Sequence, residues 1–459
     1  MHGLPLYNGK CGIGSESMMP MTRGGFPLLL IGLVAACSTG GERPAEPSHT
    51  MEAMNRAAED YVKLVLAMGP HDPDYVDSYF GPEELKAAAE KELTDLPSIQ
   101  QRAGAVLADL RAIDASQQEE LVRLRHRFLI LQLESLVSRA DMLEGKRLSF
   151  DEESRALYDA TAPTYPESHF QETLERLEKL LPGTGPLVDR YESFQKKFLI
   201  PPDRLDEVFE TALEECRVRT KPHIELPEEE SFRIEYVTDK SWSGYNWYGG
   251  NYHSLIQVNT DLPIAIDRAV DLACHEGYPG HHVYNVVREE HLARDRGWVE
   301  FTVQPLFSPM QLIAEGSANY GIDVAFPGDE RVVFERDVLF PLAGLDVSQV
   351  ERYYEVQEVT SELSYAGNEA ARRYLNGEMD AAETAAWLVR YDVKTLARAQ
   401  QTIRFYDQYR SYVINYNLGK DMVRRYIERR GGTEDHPEKR WEEFETLIAS
   451  PRLPSGLLE

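Results

Sequence analysis

Leu272-Ala-Cys274-His275-Glu276-Gly-Tyr-Pro279-Gly280-His281-His282-Val283 is the stretch on which the reading of this chain turns. Imidazole nitrogens and carboxylate oxygens hold divalent metals, and a hydrolytic site leaves one position open beside a carboxylate base. His275 and Glu276 match the front of an H-E-x-x-H helix, but the residue four positions after His275 is Pro279, which cannot ligate. On an unbroken helix His281 would lie about 120° round from His275, and His282 only about 20°. Pro279 has no N–H and clashes with the carbonyl four residues back, and Gly280 relaxes the backbone. A break or bulge is therefore expected there, and it would re-aim His281. The residues alone leave His281 and His282 both open as the second ligand.

A third ligand is expected from a later helix. Ser308-Pro309-Met-Gln-Leu-Ile-Ala-Glu315-Gly-Ser317-Ala-Asn-Tyr320 opens with an N-cap serine and a proline at the first helical position, and Pro327-Gly328 closes it. Glu315 falls about two turns in.

Gly280-His281 is similar to the Gly-His ending of the H-E-x-G-H motif of thimet oligopeptidase, carboxypeptidase Taq and angiotensin-converting enzyme, with two residues inserted. The block H-E-G-Y-P-G-H-H resembles the bacterial family called domain of unknown function 885, whose lipoprotein members are described as metallopeptidase-like. Glu315-Gly-Ser-Ala-Asn-Tyr320 is similar to the E-G-W-A-x-Y of that family and to the N-E-G-F-A of aminopeptidase N, with Ser317 in place of the usual aromatic. The resemblance implies a mainly α, multi-helical fold like that of the gluzincin zinc metallopeptidases, with a small β-sheet beside the active-site cleft. It implies His275, His281 and Glu315 as ligands of Zn²⁺ and Glu276 as the base.

Further site residues follow from the same resemblance. Gluzincin sites add a Tyr or His that hydrogen-bonds the developing oxyanion and an Arg, Lys or Tyr that grips a substrate carboxylate. Tyr365, within Ser361-Glu-Leu-Ser-Tyr-Ala-Gly-Asn368, and Tyr416 are the oxyanion candidates, while Arg410 and His282 are candidates for substrate binding. The strand ending at Asn259 is placed at the sheet edge on which an extended peptide would pair. Asp271, one turn before His275, is a candidate partner for its second nitrogen. Cys274 reads as a small packing residue and His126 as a packing or polar-face residue.

The chain's start reads as targeting. Arg23 precedes the apolar run Phe26 to Ala36, and Val34-Ala-Ala-Cys37 matches a lipobox, so residues 1–36 are a lipoprotein signal peptide. Met21 is an alternative start. Residues 37–50 form a flexible tether, and Ser38 after the lipidated Cys37 favours the outer membrane, facing the periplasm. Losing the leader removes a net +1 and takes the formal charge from −28 to −29. Such a chain is a poor partner for nucleic acid or anionic lipid surfaces. Only Cys216 and Cys274 remain in the body, too few for a disulfide framework although the envelope permits one bond.

The body divides by texture. Residues 51–230 form an N-terminal helical half, broken at Gly69-Pro70, Gly81-Pro82, Pro97, Pro163 and Pro182-Gly183, with the apolar run from Leu121 to Leu133 as its central helix. Residues 231–459 form the catalytic half. Ser231 to Val237 and Ser254 to Asn259 read as strands, and the aromatic, glycine-rich segment Trp242 to His253 reads as a turn or ligand-facing loop. Pro263 opens the helix carrying His275, and Val350 to Leu375 is helical.

The expected function is that of a zinc metallopeptidase of short peptides, in which Glu276 assists attack of water on the amide. The alternatives are a metal-dependent hydrolase of a non-peptide amide and a non-catalytic envelope lipoprotein that keeps the fold.

Overall fold

In the computed structural model the helix His49–Met68 buries Met54, Ala58, Tyr61, Val62 and Val65, a stripe at three- and four-residue spacing. Residues 49–92 and 95–459 are described, so the expected leader, Cys37 and the tether up to residue 48 lie outside the described residues. Pro47–Glu459 is one compact unit. The expected breaks mostly fall between elements: helices end at Met68 and Leu180 and begin at Glu83, while Pro97 sits in the first turn of Leu96–Arg111.

The expected central helix is Glu120–Leu143. It buries Phe128, Leu129, Leu133 and Leu136 together with Arg125, which is fully buried. Arg125 is tolerated there because Glu300 accepts from its Nε at 2.5 Å and from its Nη2 at 3.0 Å, Asn55 takes a third donor at 2.7 Å, and Trp298 stacks at 4.7 Å. His126 Nε2 lies 2.7 Å from the Leu110 carbonyl oxygen, a packing histidine as expected.

The described residues also include five short strands. β1 (Val76–Tyr79) pairs antiparallel with β5 (Val303–Pro305), tying the first helical segment to the second half of the chain, and the register slips between Val76 and Ser78. β2 (Ser231–Val237), β3 (Gly244–Tyr248) and β4 (His253–Asn259) form a sheet of order β2-β4-β3. β4 is therefore central, parallel to β2 and antiparallel to β3. This corrects the expectation that the strand ending at Asn259 offers a free edge. The edge beside the cavity belongs to β3, within the segment read as a loop. Asn259 N–H donates to the Ser243 carbonyl and Gly249 N–H to that of His253, so by antiparallel alternation the backbone groups of Gly244, Asn246 and Tyr248 point away from β4. The turn that follows has positive φ at Gly250, Asn251 and Tyr252.

Helix Pro309–Ala325 runs through the interior, buried on nearly every side. It crosses Ile414–Arg429 at a glycine–glycine contact. A Cβ on Gly316 would lie 2.5 Å from the Gly419 carbonyl carbon and oxygen, and one on Gly419 would lie 2.8 Å from the Leu312 oxygen. The expected helix Val350 to Leu375 is two, Val350–Ser361 and Ser364–Leu375. Among the described residues no helix is long and apolar enough to cross a membrane.

The glycine crossing makes a direct prediction. Gly316→Ala pushes the two helices apart and should cost about 1–3 kcal/mol, the usual penalty of overpacking. Urea unfolding of the variant beside the parent protein measures it.

Candidate metal centre

The helix Asp267–Leu272 does not continue regularly through the histidine motif. It widens into a π turn over Ala273–Gly277, Tyr278 turns extended, the Tyr278–Pro279 peptide is cis, and a new helix starts at His281 and runs to Arg288. Tyr278 N–H donates to the Ala273 carbonyl at 3.3 Å and Gly280 N–H to that of Cys274 at 2.9 Å, so the reversal is hydrogen-bonded back onto the turn it leaves. Only glycine fits at 280: a Cβ would stand 1.9 Å from the His275 carbonyl oxygen and 2.3 Å from that of Cys274. The expected break has thus occurred, and it carries His281 back toward His275.

Three side chains converge there. Glu315 Oε2 lies 3.1 Å from His275 Nε2 and 3.6 Å from His281 Nε2, and one ligand atom from each residue falls within 4.8 Å of the others. Among the described residues this is the group of His, Cys, Asp and Glu side chains arranged to hold a metal ion. Tetrahedral coordination at zinc–ligand lengths of about 2.1 Å separates ligand atoms by about 3.4 Å, which the two measured spacings straddle. Glu315 Oε1 accepts from the buried Tyr412 hydroxyl at 2.7 Å. Its Oε2 is buried, faces both imidazoles and makes no hydrogen bond of acceptable geometry. An orphaned carboxylate oxygen between two imidazole nitrogens fits a cation's donor set.

The electrostatics match that arrangement. Burial opposes ionisation of Glu315, but His281 and His275 hold its carboxyl far below the ordinary range. Burial likewise opposes charge on His281, yet Glu315, with help from Glu276 and Asp77, lifts it to about 9. Glu276 is raised, chiefly by burial, while both imidazoles pull the other way.

Glu276 is 3% exposed and its Oε2 has no hydrogen-bond partner. Its Oε1 occupies the space a side chain at Gly244 would take, since a Cβ there would be 2.6 Å away. Asn246 donates to the Glu276 carbonyl at 2.7 Å, so β3 holds the backbone of this residue and leaves room for its side chain. Triad and glutamate line one cavity of about 1250 Å³.

Tyr416 joins this cavity. Its ring centroid is 6.4 Å from that of His275, and among the described residues its hydroxyl has no hydrogen-bond partner. The other expected site residues have different work. Tyr365 gives its hydroxyl to Asp421 at 2.7 Å, packs on Tyr165 and does not line the cavity. Arg410 is spent on the buried Glu153, donating from Nε at 2.8 Å, in a sharp φ +54° junction that leads into Tyr412. Asn259 accepts from Asp261 N–H and donates to the Lys240 and Trp242 carbonyls, holding a turn together. Asp271 pairs with Arg268 and Arg331, each at 2.8 Å, rather than with His275. Cys274 is bonded to Cys216 in a disulfide that fixes the π turn to helix Leu205–Thr220, which corrects its reading as a packing residue.

His282 is fully buried and points away from the triad. Its Nδ1 is 2.8 Å from Ser254 Oγ and its Nε2 is 3.1 Å from Glu230 Oε2. Glu230 also accepts from Tyr278 at 2.5 Å and pairs with Lys221 at 2.8 Å and Arg217 at 3.2 Å. The helix period pointed to His282 only because it assumed an unbroken helix. Tyr412 and Asp77 also line the cavity and were not among the expected site residues. Tyr412 lies four residues before Tyr416, and that helical spacing alone does not separate a site residue from a core one. Asp77 carried no signal, since its position depends on a strand bulge.

No family model and no curated protein matches the chain. Among solved structures, a "putative lipoprotein" from Colwellia psychrerythraea shares 14% identity at a TM-score of 0.48, over 81% of this chain and 70% of that one. A "putative lipoprotein of unknown function" from Shewanella oneidensis shares 14% at 0.42, over 81% and 75%. At this level neither bears on the site.

The Glu230 cluster behind the site has a defined pH signature. Burial disfavours the charged form, but hydrogen bonds from His282, Lys221 and Tyr278 bring the carboxyl down from 4.5 to about 2. A depressed folded-state value stabilises the fold above the unfolded value and is lost as pH falls from 4.5 to about 2. Glu230→Gln should therefore lower stability at pH 7 by about 2 kcal/mol. The gap to the parent should close on acidification, as thermal melts across that window would record.

Proposed function

We propose that this protein is a zinc-dependent metallopeptidase acting on short peptides, with His275, His281 and Glu315 as the ligands and Glu276 as the base. The observation that carries the reading is the pairing of two orphaned, buried carboxylate oxygens, one on Glu315 between two imidazoles and one on Glu276 beside them, in a single cavity. The resemblance of H-E-G-Y-P-G-H-H and E-G-S-A-N-Y to gluzincin-type motifs supports the same assignment.

Zinc held there would supply Lewis-acid polarisation and bring the pKa of a water to near neutrality. The chain's own contribution is orientation and proton handling. Tyr412 holds Glu315 in place through Oε1 and leaves Oε2 for the cation. Glu276, with one oxygen unsatisfied and its carboxyl raised by burial, takes a proton from the attacking water and returns it to the leaving amine. The Tyr416 hydroxyl, near His275 and without a partner, donates to the oxyanion. The unpaired edge of β3 beside Glu276 is suited to an extended peptide backbone. The lipobox at Cys37 would place this activity in the bacterial envelope, anchored by lipid.

A non-catalytic scaffold needs no buried base with an unsatisfied oxygen, so Glu276 weighs against that alternative. Metal analysis by mass spectrometry of residues 38–459 should find near-stoichiometric zinc, lost in His275→Ala, His281→Ala and Glu315→Ala. Glu276→Gln should keep zinc and lose peptide hydrolysis by on the order of 10³-fold or more. Tyr416→Phe should lose about 100-fold, and Tyr365→Phe should behave as the parent. A parent protein that binds no transition metal when zinc is supplied overturns the reading.

A further inference from the structure

Asp77 is a carboxylate of the cavity that no Lys or Arg among the described residues offsets, so burial pushes its pKa up to about 7 while His281 pulls it down. It sits where the β1–β5 register slips between Val76 and Ser78, and a bulge of this kind re-aims the side chain of the extra residue. The side chain faces the cavity, close enough to His281, Glu276 and Glu315 to interact with all three electrostatically. Tyr245, from β3, donates to its Oδ1 and fixes the carboxylate. Among the described residues no Lys or Arg pairs with it.

The cavity's cations are committed elsewhere. Lys420 lies on Asp323, Lys394 on Asp392, Arg268 on Asp271, Arg331 on Asp271 and Glu335, Arg336 on Asp337, and Arg398 donates to the Pro263 carbonyl. Burying a carboxylate without a cation is costly, so such a group close to a reactive centre is shaped for a cation that arrives with the ligand. The formal charge of −28 adds a long-range field that favours cationic over anionic ligands.

We propose that Asp77 binds a primary ammonium group of the substrate, and that the preferred substrates are peptides with a free N-terminus positioned for cleavage close to that end. This rests on the metallopeptidase reading and deepens it, since a carboxylate fixed beside the triad restricts how much chain can extend on the amino side of the reacting bond. Tyr245 sets the carboxylate's direction, and the second oxygen is left for the ammonium.

The test uses zinc-loaded protein and one short peptide in three forms: free N-terminus, N-acetylated, and N-acetylated with a lysine as first residue. The parent should prefer the free form over the acetylated by about 100-fold in kcat/KM. Asp77→Asn keeps an oxygen for Tyr245 but removes the charge, and should bring that ratio to within a few-fold of one with an unchanged melting temperature. Tyr245→Phe keeps the charge and should retain most of the preference. Rescue by the lysine peptide in the parent, lost in Asp77→Asn, would assign the ammonium to a side chain. No preference in the parent, or equal losses on free and acetylated peptides in Asp77→Asn, overturns the proposal while leaving the peptidase reading intact. Calorimetric binding of the same peptides separates the opposite case. Free-amine peptide that binds the parent, but not Asp77→Asn, without turnover would sink the peptidase reading and keep the ammonium site. Equal binding by both proteins without turnover sinks both.

Discussion

Everything at the centre depends on a backbone passing against itself. At Gly280 the chain lies directly on the carbonyls of Cys274 and His275, with its N–H bonded to the former. With a side chain there the reversal could not close, and His281 would be carried away from His275. The same device recurs around it. Gly321 of the glutamate helix makes room for the Pro279 ring, Gly277 for Leu213, and Gly316 and Gly419 for each other. Each removes a Cβ where two elements must approach more closely than ordinary packing permits, so the helices that supply Glu315 and Tyr416 reach the histidines.

Buried charge sets the second level of order. Glu153, 1% exposed, accepts from Arg410 Nε, from Ser411 N–H and from Ser411 Oγ. That holds the turn from which Tyr412 reaches Glu315. Arg410 therefore bears on the centre through backbone placement, two residues removed, and not by contact with a ligand. Glu230 plays a comparable part on the opposite side, collecting His282, Tyr278, Lys221 and Arg217 just behind the reversal. Both clusters satisfy their glutamates with several donors, which is the condition for buried charge to rigidify a structure instead of loosening it.

The local chemistry of the centre was legible in the sequence to the extent that backbone rules reach. Pro279 and Gly280 announced a break, and Ser308-Pro309 announced the helix that carries Glu315, although Ser308 Oγ bonds the Pro305 carbonyl and not the helix end. β2 was readable from its alternation, and β4 nearly so. What could not be read depends on contacts distant in sequence. β3 was masked by its density of glycine and aromatics, and its strand character comes from pairing with β4. Tyr365, Arg410 and Asn259 are residue types suited to a site, but their partners, Asp421, Glu153 and the Lys240–Trp242 carbonyls, claim them first. The Cys216–Cys274 bond joins residues 58 apart and needed the fold to bring them together.

If the three ligand residues hold a metal ion as proposed, the polar groups left unsatisfied beside them would separate the centre from a structural ion site. A structural zinc site closes its coordination with protein ligands and leaves no reactive neighbour. Here three ligand atoms converge on one face of a large cavity, Glu315 Oε2 faces only the two imidazoles, Glu276 Oε2 has no hydrogen-bond partner, and Asp77 meets no Lys or Arg among the described residues. Elsewhere in the interior, carboxylates such as Glu300, Glu153 and Glu230 are matched with several donors each. Glu335 Oε2 is also without a partner, but its other oxygen meets Arg331, and the unpartnered carboxylate oxygens around the two histidines concentrate a desolvation cost at one place. Such a cost is retained where ligands repay it, and the two proposed occupants are both cations: a metal ion between the imidazoles and an ammonium group at Asp77.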